Sequence, residues 1–172
     1  MTNLGFSSRM ISARTYDRSG SLGPDYDHLL LLVTTGKQYI VDVGYGDLFI
    51  QPLELKTGIQ TEGNNSFQIE KLSNDDYLLS MASGRSHFEK RYDFNLNECS
   101  IDLFKESCLD KQVNPESYFV INTLCTMPTL SGRVTIFNNK LIERSGDRKS
   151  EETIKDDSDL RLKLMEKFKI VI

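Results

Sequence analysis

Two apolar, β-branched runs, His28 to Val33 and Tyr39 to Val43, flank the polar, glycine-containing stretch Thr34 to Gln38, and this pattern commits the chain to a β-hairpin. A histidine opens the first run. An aspartate, Asp42, interrupts the second, where a carboxylate inside an apolar strand needs a partner. In an antiparallel pair closed by such a turn, the start of one strand lies opposite the end of the other, so His28 and Asp42 are expected as cross-strand neighbours. An aspartate that accepts the imidazole N–H orients the ring as a general base. A satisfied core histidine would carry the same letters, so the pair by itself does not define a reaction.

The rest of the chain adds short strands. Leu4 to Tyr16 reads as a first strand and Asp17 to Asp27, with Gly20, Gly23 and Pro24, as a loop into His28. After Asp42, Gly44-Tyr45-Gly46 offers close backbone approach and N–H groups that could face an anion. Leu48 to Asn65 is extended, with Pro52 limiting any strand to an edge. Phe67 to Leu72 and Tyr77 to Met81 form a second hairpin, and His87 to Leu96 a strand placing Phe88, Tyr92 and Phe94 on one core face, with His87 on the other. Asn97 to Lys111 changes to a helical period through Ile101, Phe104 and Cys108. Tyr118 to Cys125, Arg133 to Phe137 and Lys140 to Arg144 read as a meander. From Glu143 to Lys167 the charges are mixed in sign, a solvated face in which Asp156 to Asp159 supply helix N-caps, Leu160, Leu164 and Phe168, with Met165, a buried stripe, and Lys163 and Lys167 an exposed one. Many short strands with two segregated helices define an α+β protein on an antiparallel sheet or barrel.

Composition narrows the function classes. The 172 residues suffice for a core, and 21 Lys+Arg against 25 Asp+Glu, with no basic block, argue against a nucleic-acid partner. The longest apolar run, Leu29 to Val33, is too short to span a bilayer, so a cytoplasmic protein without membrane contact is expected. Cys99, Cys108 and Cys125 match neither a zinc site nor a disulfide framework, and no metal is expected.

The segments His-Leu-Leu-Leu-Leu-Val, Tyr-Ile-Val-Asp-Val-Gly-Tyr-Gly-Asp and Pro52-Leu53-Glu54-Leu55 resemble the arylamine N-acetyltransferase family. The resemblance continues through Leu4-Gly5-Phe6, Ala13-Arg14, Pro115-Glu116-Ser117-Tyr118-Phe119, Pro128-Thr129-Leu130-Ser131-Gly132-Arg133 and Phe168-Lys169-Ile170. It implies an antiparallel β-barrel domain (1–83) plus an α/β lid (84–172), the second and third domains of a cysteine-protease-like fold. It also implies acetyl transfer from acetyl-CoA to arylamines or hydrazines through a Cys-His-Asp triad, with His28 and Asp42 as its histidine and aspartate. Tyr45 and Gly46 resemble the substrate-binding positions, and Gly44 and Ser117 positions near the CoA.

The family's cysteine lies in an Arg-Gly-Gly-x-Cys-x-Glu-Asn type motif of an N-terminal helical domain, and no stretch here matches it. Two thirds of a triad cannot run the reaction, because the thiolate is the group that accepts the acetyl. The chain alone is therefore expected to be inactive. Its alternatives are a catalytically dead fragment or interaction module, a homodimer, or one half of a split enzyme completed by a separate Cys-bearing chain. The strand from Leu4 to Tyr16 is expected to be the open edge used in self-association.

Overall fold

The structure is a computed structural model that describes residues 4–17, 19–146 and 148–172. The chain divides into two compact units, Met1–Leu109 and Asp110–Ile172.

The first unit holds one antiparallel sheet of eight strands: β1 (Ser7–Thr15), β2 (His28–Thr34), β3 (Gln38–Val41), β4 (Leu53–Glu54), β5 (Gly58–Glu62), β6 (Asn65–Lys71), β7 (Asp76–Ser83) and β8 (Glu89–Asn95). Their order is β4-β3-β2-β1-β8-β7-β6-β5, so β7 and β8, on either side of Gly84, are neighbours. The two edges, β4 and β5, are consecutive in the chain, which brings the sheet nearly round on itself. Gln60 bridges them, its Oε1 accepting the Glu54 N–H at 3.0 Å and its Nε2 donating to the Glu54 carbonyl at 2.9 Å. Alternating side chains of these strands, among them Ile11, Leu30, Leu32, Ile40, Phe67, Ile69, Leu79 and Tyr92, fill the interior with essentially no exposure. Each such burial contributes roughly 1.5–3 kcal/mol. Asp93 is also buried, and Arg14 opposite it on β1 donates to both its oxygens, at 3.0 and 2.7 Å.

Several expectations need correction here. β1 is not an open edge, since it lies between β2 and β8. The strand expected from His87 begins at Glu89. Phe88 therefore falls outside it and is only half-buried, while Tyr92 and Phe94 enter the core. The helical period from Asn97 becomes a 3₁₀ turn, Ile101–Phe104, followed by α1 (Lys105–Val113). Of its apolar residues only Phe104 is buried, edge-on to Tyr26 at 5.7 Å, and Cys108 is exposed.

The second unit carries a four-stranded antiparallel sheet, β9 (Leu124–Thr129), β10 (Gly132–Phe137), β11 (Lys140–Ser145) and β12 (Arg148–Thr153), in chain order. Tyr118 to Ile121, expected as strand, instead forms the short helix α2 (Tyr118–Ile121) behind an Asn114 turn that accepts the Glu116 N–H. A short apolar run fits either state, and here the turn residues decide. β12 lies in the charged stretch read as a solvated face: all its residues are exposed, so it shows no apolar alternation, and its charges protect an edge. α3 (Asp157–Lys163) is capped as expected, with Asp156 accepting the Asp159 N–H at 2.9 Å. Leu164 is buried with Val134, Ile136, Leu141 and Ile154, and Leu160 and Phe168 pack beside them, whereas Met165, expected in the same stripe, faces outward. Lys163, expected outside, is buried, its Nζ held by Glu152 at 2.6 Å.

Candidate active site

β2 opens on His28 and β3 ends at Val41, so Asp42 is the first residue beyond its strand. The register Leu31↔Val41 carries His28 toward Gly44 and leaves Asp42 one diagonal step away on the same face. The pair meets all the same. His28 Nε2 and Asp42 Oδ2 are 2.9 Å apart, with the aspartate side chain 0% and the imidazole 14% exposed. Asp42 Oδ1 also accepts the backbone N–H of Gly44 and of Tyr45, each at 3.0 Å. Three donors thus satisfy a carboxylate that would be costly to bury alone. An ionised carboxylate only accepts, so Nε2 carries the imidazole proton and Nδ1 presents its lone pair. Among the described residues Nδ1 makes no hydrogen bond.

The glycine beside the pair is there for space. A Cβ at Gly44 would stand 3.3 Å from His28 Cε1, and the Gly44 N–H is already taken by Asp42, so this amide is not free for an anion. Gly44→Ala is expected to push the ring off its bond with Asp42 and to lower stability by about 1 kcal/mol, read by urea unfolding. Unchanged stability together with an unmoved His28 resonance would contradict the close packing.

Tyr45 meets the imidazole edge-on at 5.7 Å and also lies 5.7 Å from the Tyr92 ring. Burial pushes its phenol up, opposed by the neighbouring Arg91 guanidinium. Tyr92 was legible in the sequence as core but not as part of the site. It lies 5.8 Å from the imidazole, completing an aromatic wall around His28. Only the even spacing of Tyr92 and Phe94 on β8 hinted at its position.

The Tyr92 hydroxyl is fully buried beside Asp42, whose charge and weak hydrogen bonding both act on it, although the oxygen lies outside good hydrogen-bond geometry with any described residue. Burial first, and Asp42 second, hold the phenol well above its ordinary 10.0. A raised folded-state value means stability intact below pH 10.0 and lost as the pH rises beyond it, where the unfolded chain ionises and the native one does not. Tyr92→Phe, which removes a buried hydroxyl held only by a poorly aligned contact with Asp42, should stabilise the protein by roughly 1 kcal/mol at neutral pH and flatten the alkaline loss. A destabilisation of similar size would show that the hydroxyl is bonded.

Gly46 lies in the left-handed region at φ +96°, a conformation that favours glycine, and is exposed in the same loop. Ser117 belongs to the second unit, where its Oγ donates to the Lys111 carbonyl at 3.0 Å. Among the described residues no thiol is hydrogen-bonded to His28. Burial pushes the Cys99 and Cys125 thiols up, the opposite of what a nucleophile needs. No group of three or more His, Cys, Asp or Glu among the described residues is placed to hold a metal ion, and no helix among them is long and apolar enough to cross a membrane.

A nearly closed antiparallel barrel that presents a histidine hydrogen-bonded to an aspartate, in a chain with a second α/β unit, defines an α+β protein. The N-acetyltransferase family profile matches residues 1–172, and the chain belongs to that family, whose matched members are arylamine N-acetyltransferases. A pineal-gland arylamine N-acetyltransferase of Gallus gallus is 29% identical over 100% of this chain and 68% of its own length. Arylamine N-acetyltransferase 1 of Homo sapiens is 29% identical over 77% and 52%. Among solved structures, an arylamine N-acetyltransferase of Bacillus cereus, described as having a Cys-His-Glu catalytic triad, superposes with a TM-score of 0.86 at 20% identity, covering 99% of this chain and 68% of that one. One of Mycobacterium marinum, solved in complex with CoA, gives 0.83 at 20% identity over 98% and 64%. The chain thus spans about half to two thirds of the length of the relatives it matches.

Proposed function

We propose that this chain supplies the acid–base half of an acetyl-transfer site, in which a thiol from outside these 172 residues takes the acetyl group of acetyl-CoA and passes it to an arylamine or hydrazine nitrogen. The observation that carries this is the His28 Nε2–Asp42 Oδ2 bond with Nδ1 left as an acceptor. In this role Nδ1 removes the thiol proton, and the imidazolium that results is stabilised by Asp42 through Nε2–H. The imidazolium gives this proton to the CoA thiolate that leaves as the acetyl thioester forms. This frees Nδ1 to take the proton of the incoming amine as the nitrogen attacks the thioester carbonyl and the thiolate is released. Tyr45 and Tyr92 keep the ring in one orientation and exclude water from its faces.

A thiol-bearing segment, on the same polypeptide or a separate one, also suits Val43 and Ile50. These two apolar residues stand exposed at the two ends of the site loop, 93% and 85% respectively. Tyr45 and Gly46 would border the acceptor amine, and Gly44 and Ser117 are assigned to the CoA side by resemblance alone.

The test is an acetyl-CoA-dependent arylamine acetylation assay on the purified chain. No turnover above the uncatalysed rate is expected. Turnover abolished by replacing Cys99, Cys108 or Cys125 with alanine would overturn the reading, because the nucleophile would then be internal.

A further inference from the structure

From Val43 to Gln51 the chain forms no strand, and this loop carries Gly44 and Tyr45. Asp42 fixes its entrance through the amides of Gly44 and Tyr45. Its middle is sunk into the barrel by the buried Leu48 and Phe49, the latter edge-on to Phe67 at 5.7 Å. The exit would be loose by sequence: Ile50 and Gln51 have no ladder partner, and Pro52 has no N–H with which to start one. A second carboxylate is placed there. Glu62, half-buried on β5, accepts the Ile50 N–H on Oε2 at 2.9 Å and the Gln51 N–H on Oε1 at 2.6 Å. Each end of the loop is thus held by one carboxylate that takes two successive amides, the charge-assisted arrangement that fixes backbone most firmly.

We propose that Glu62 is a positioning residue for the candidate site: by fixing the loop's exit it sets the angle at which Tyr45 closes over His28. Glu62 lies twenty residues beyond Asp42 and touches neither member of the pair directly, so it acts through the loop. Gln60, two residues earlier on the same face of β5, holds the adjoining β4 by its backbone and gives Glu62 a fixed platform. The functional meaning rests on His28 acting as the base, but the contact itself can be read without any turnover.

The chain has two histidines, His28 with a side chain 14% exposed and His87 at 85%, so one serves as the internal reference for the other. Diethyl pyrocarbonate modification, followed site by site by mass spectrometry, measures how open the Tyr45 cover is. Glu62→Ala should speed the reaction at His28 by about tenfold, the factor expected from losing an amide–carboxylate clamp, with His87 unchanged. Glu62→Gln keeps one acceptor oxygen but turns an NH2 toward the second amide, and should fall between wild type and alanine while remaining folded. Faster amide exchange at Ile50 and Gln51 should accompany both. If the His28 to His87 ratio stays at the wild-type value in the folded glutamine and alanine variants, even with a lowered melting temperature, Glu62 is only a local staple and the proposal fails. Failure of the acetyl-transfer reading would leave this ratio untouched, so the two outcomes are separable.

Discussion

Asp42→Ala is expected to lower the free energy of unfolding by about 3 kcal/mol, more than any other single change in the site loop. The carboxylate has no exposed side-chain surface and serves three donors, His28 Nε2–H and the amides of Gly44 and Tyr45. Alanine removes both acceptor oxygens at once and leaves three donors, the His28 Nε2–H and the two loop amides, without their partner. Asp42→Asn is a graded control: its carbonyl can still serve the two amides, while its NH2 confronts Nε2–H and drives the imidazole to its other tautomer. The asparagine loss should be less than half the alanine one. Urea unfolding with an unchanged m-value measures both. A loss below about 1 kcal/mol for alanine would mean that water or a neighbouring side chain replaces the carboxylate with little penalty.

The second large effect concerns chemistry. When the chain is joined to, or mixed with, a polypeptide that supplies the thiol and acetylation appears, His28→Ala should reduce the rate of acetyl transfer by about a thousandfold or more. Only an imidazole with a free Nδ1 can both activate the thiol and take the amine proton. His28→Gln, which retains a hydrogen bond to Asp42 and much of the shape, should be as inactive while staying folded, so that loss of chemistry is told apart from loss of structure. Residual activity within tenfold of the wild type would remove His28 from the reaction.

Much of this site was written in the hairpin. The β-branched runs and their turn specify the strand pair, and a buried aspartate demands a partner on its face. The register shifted the geometry from direct to diagonal, because β3 stops at Val41 and Asp42 turns its other oxygen to the loop amides. Features that depend on long-range packing were not readable. Tyr92 looks like any aromatic on β8, and only the closing of the sheet brings it to His28. Glu62 looks like a surface acid in a polar stretch. β12 and the buried Lys163 were missed together, since an exposed strand lacks alternation and Lys163 is drawn in by Glu152 on that strand.

The most direct measurement is the protonation of the two imidazole nitrogens of His28, read by long-range proton–nitrogen correlation spectroscopy at neutral pH, with the exposed His87 as reference. The bond to Asp42 requires His28 to carry its proton on Nε2 with Nδ1 bare, and requires that preference to disappear in Asp42→Asn. A His28 protonated on Nδ1, or one whose spectrum matches that of His87, would contradict an Asp42-oriented base.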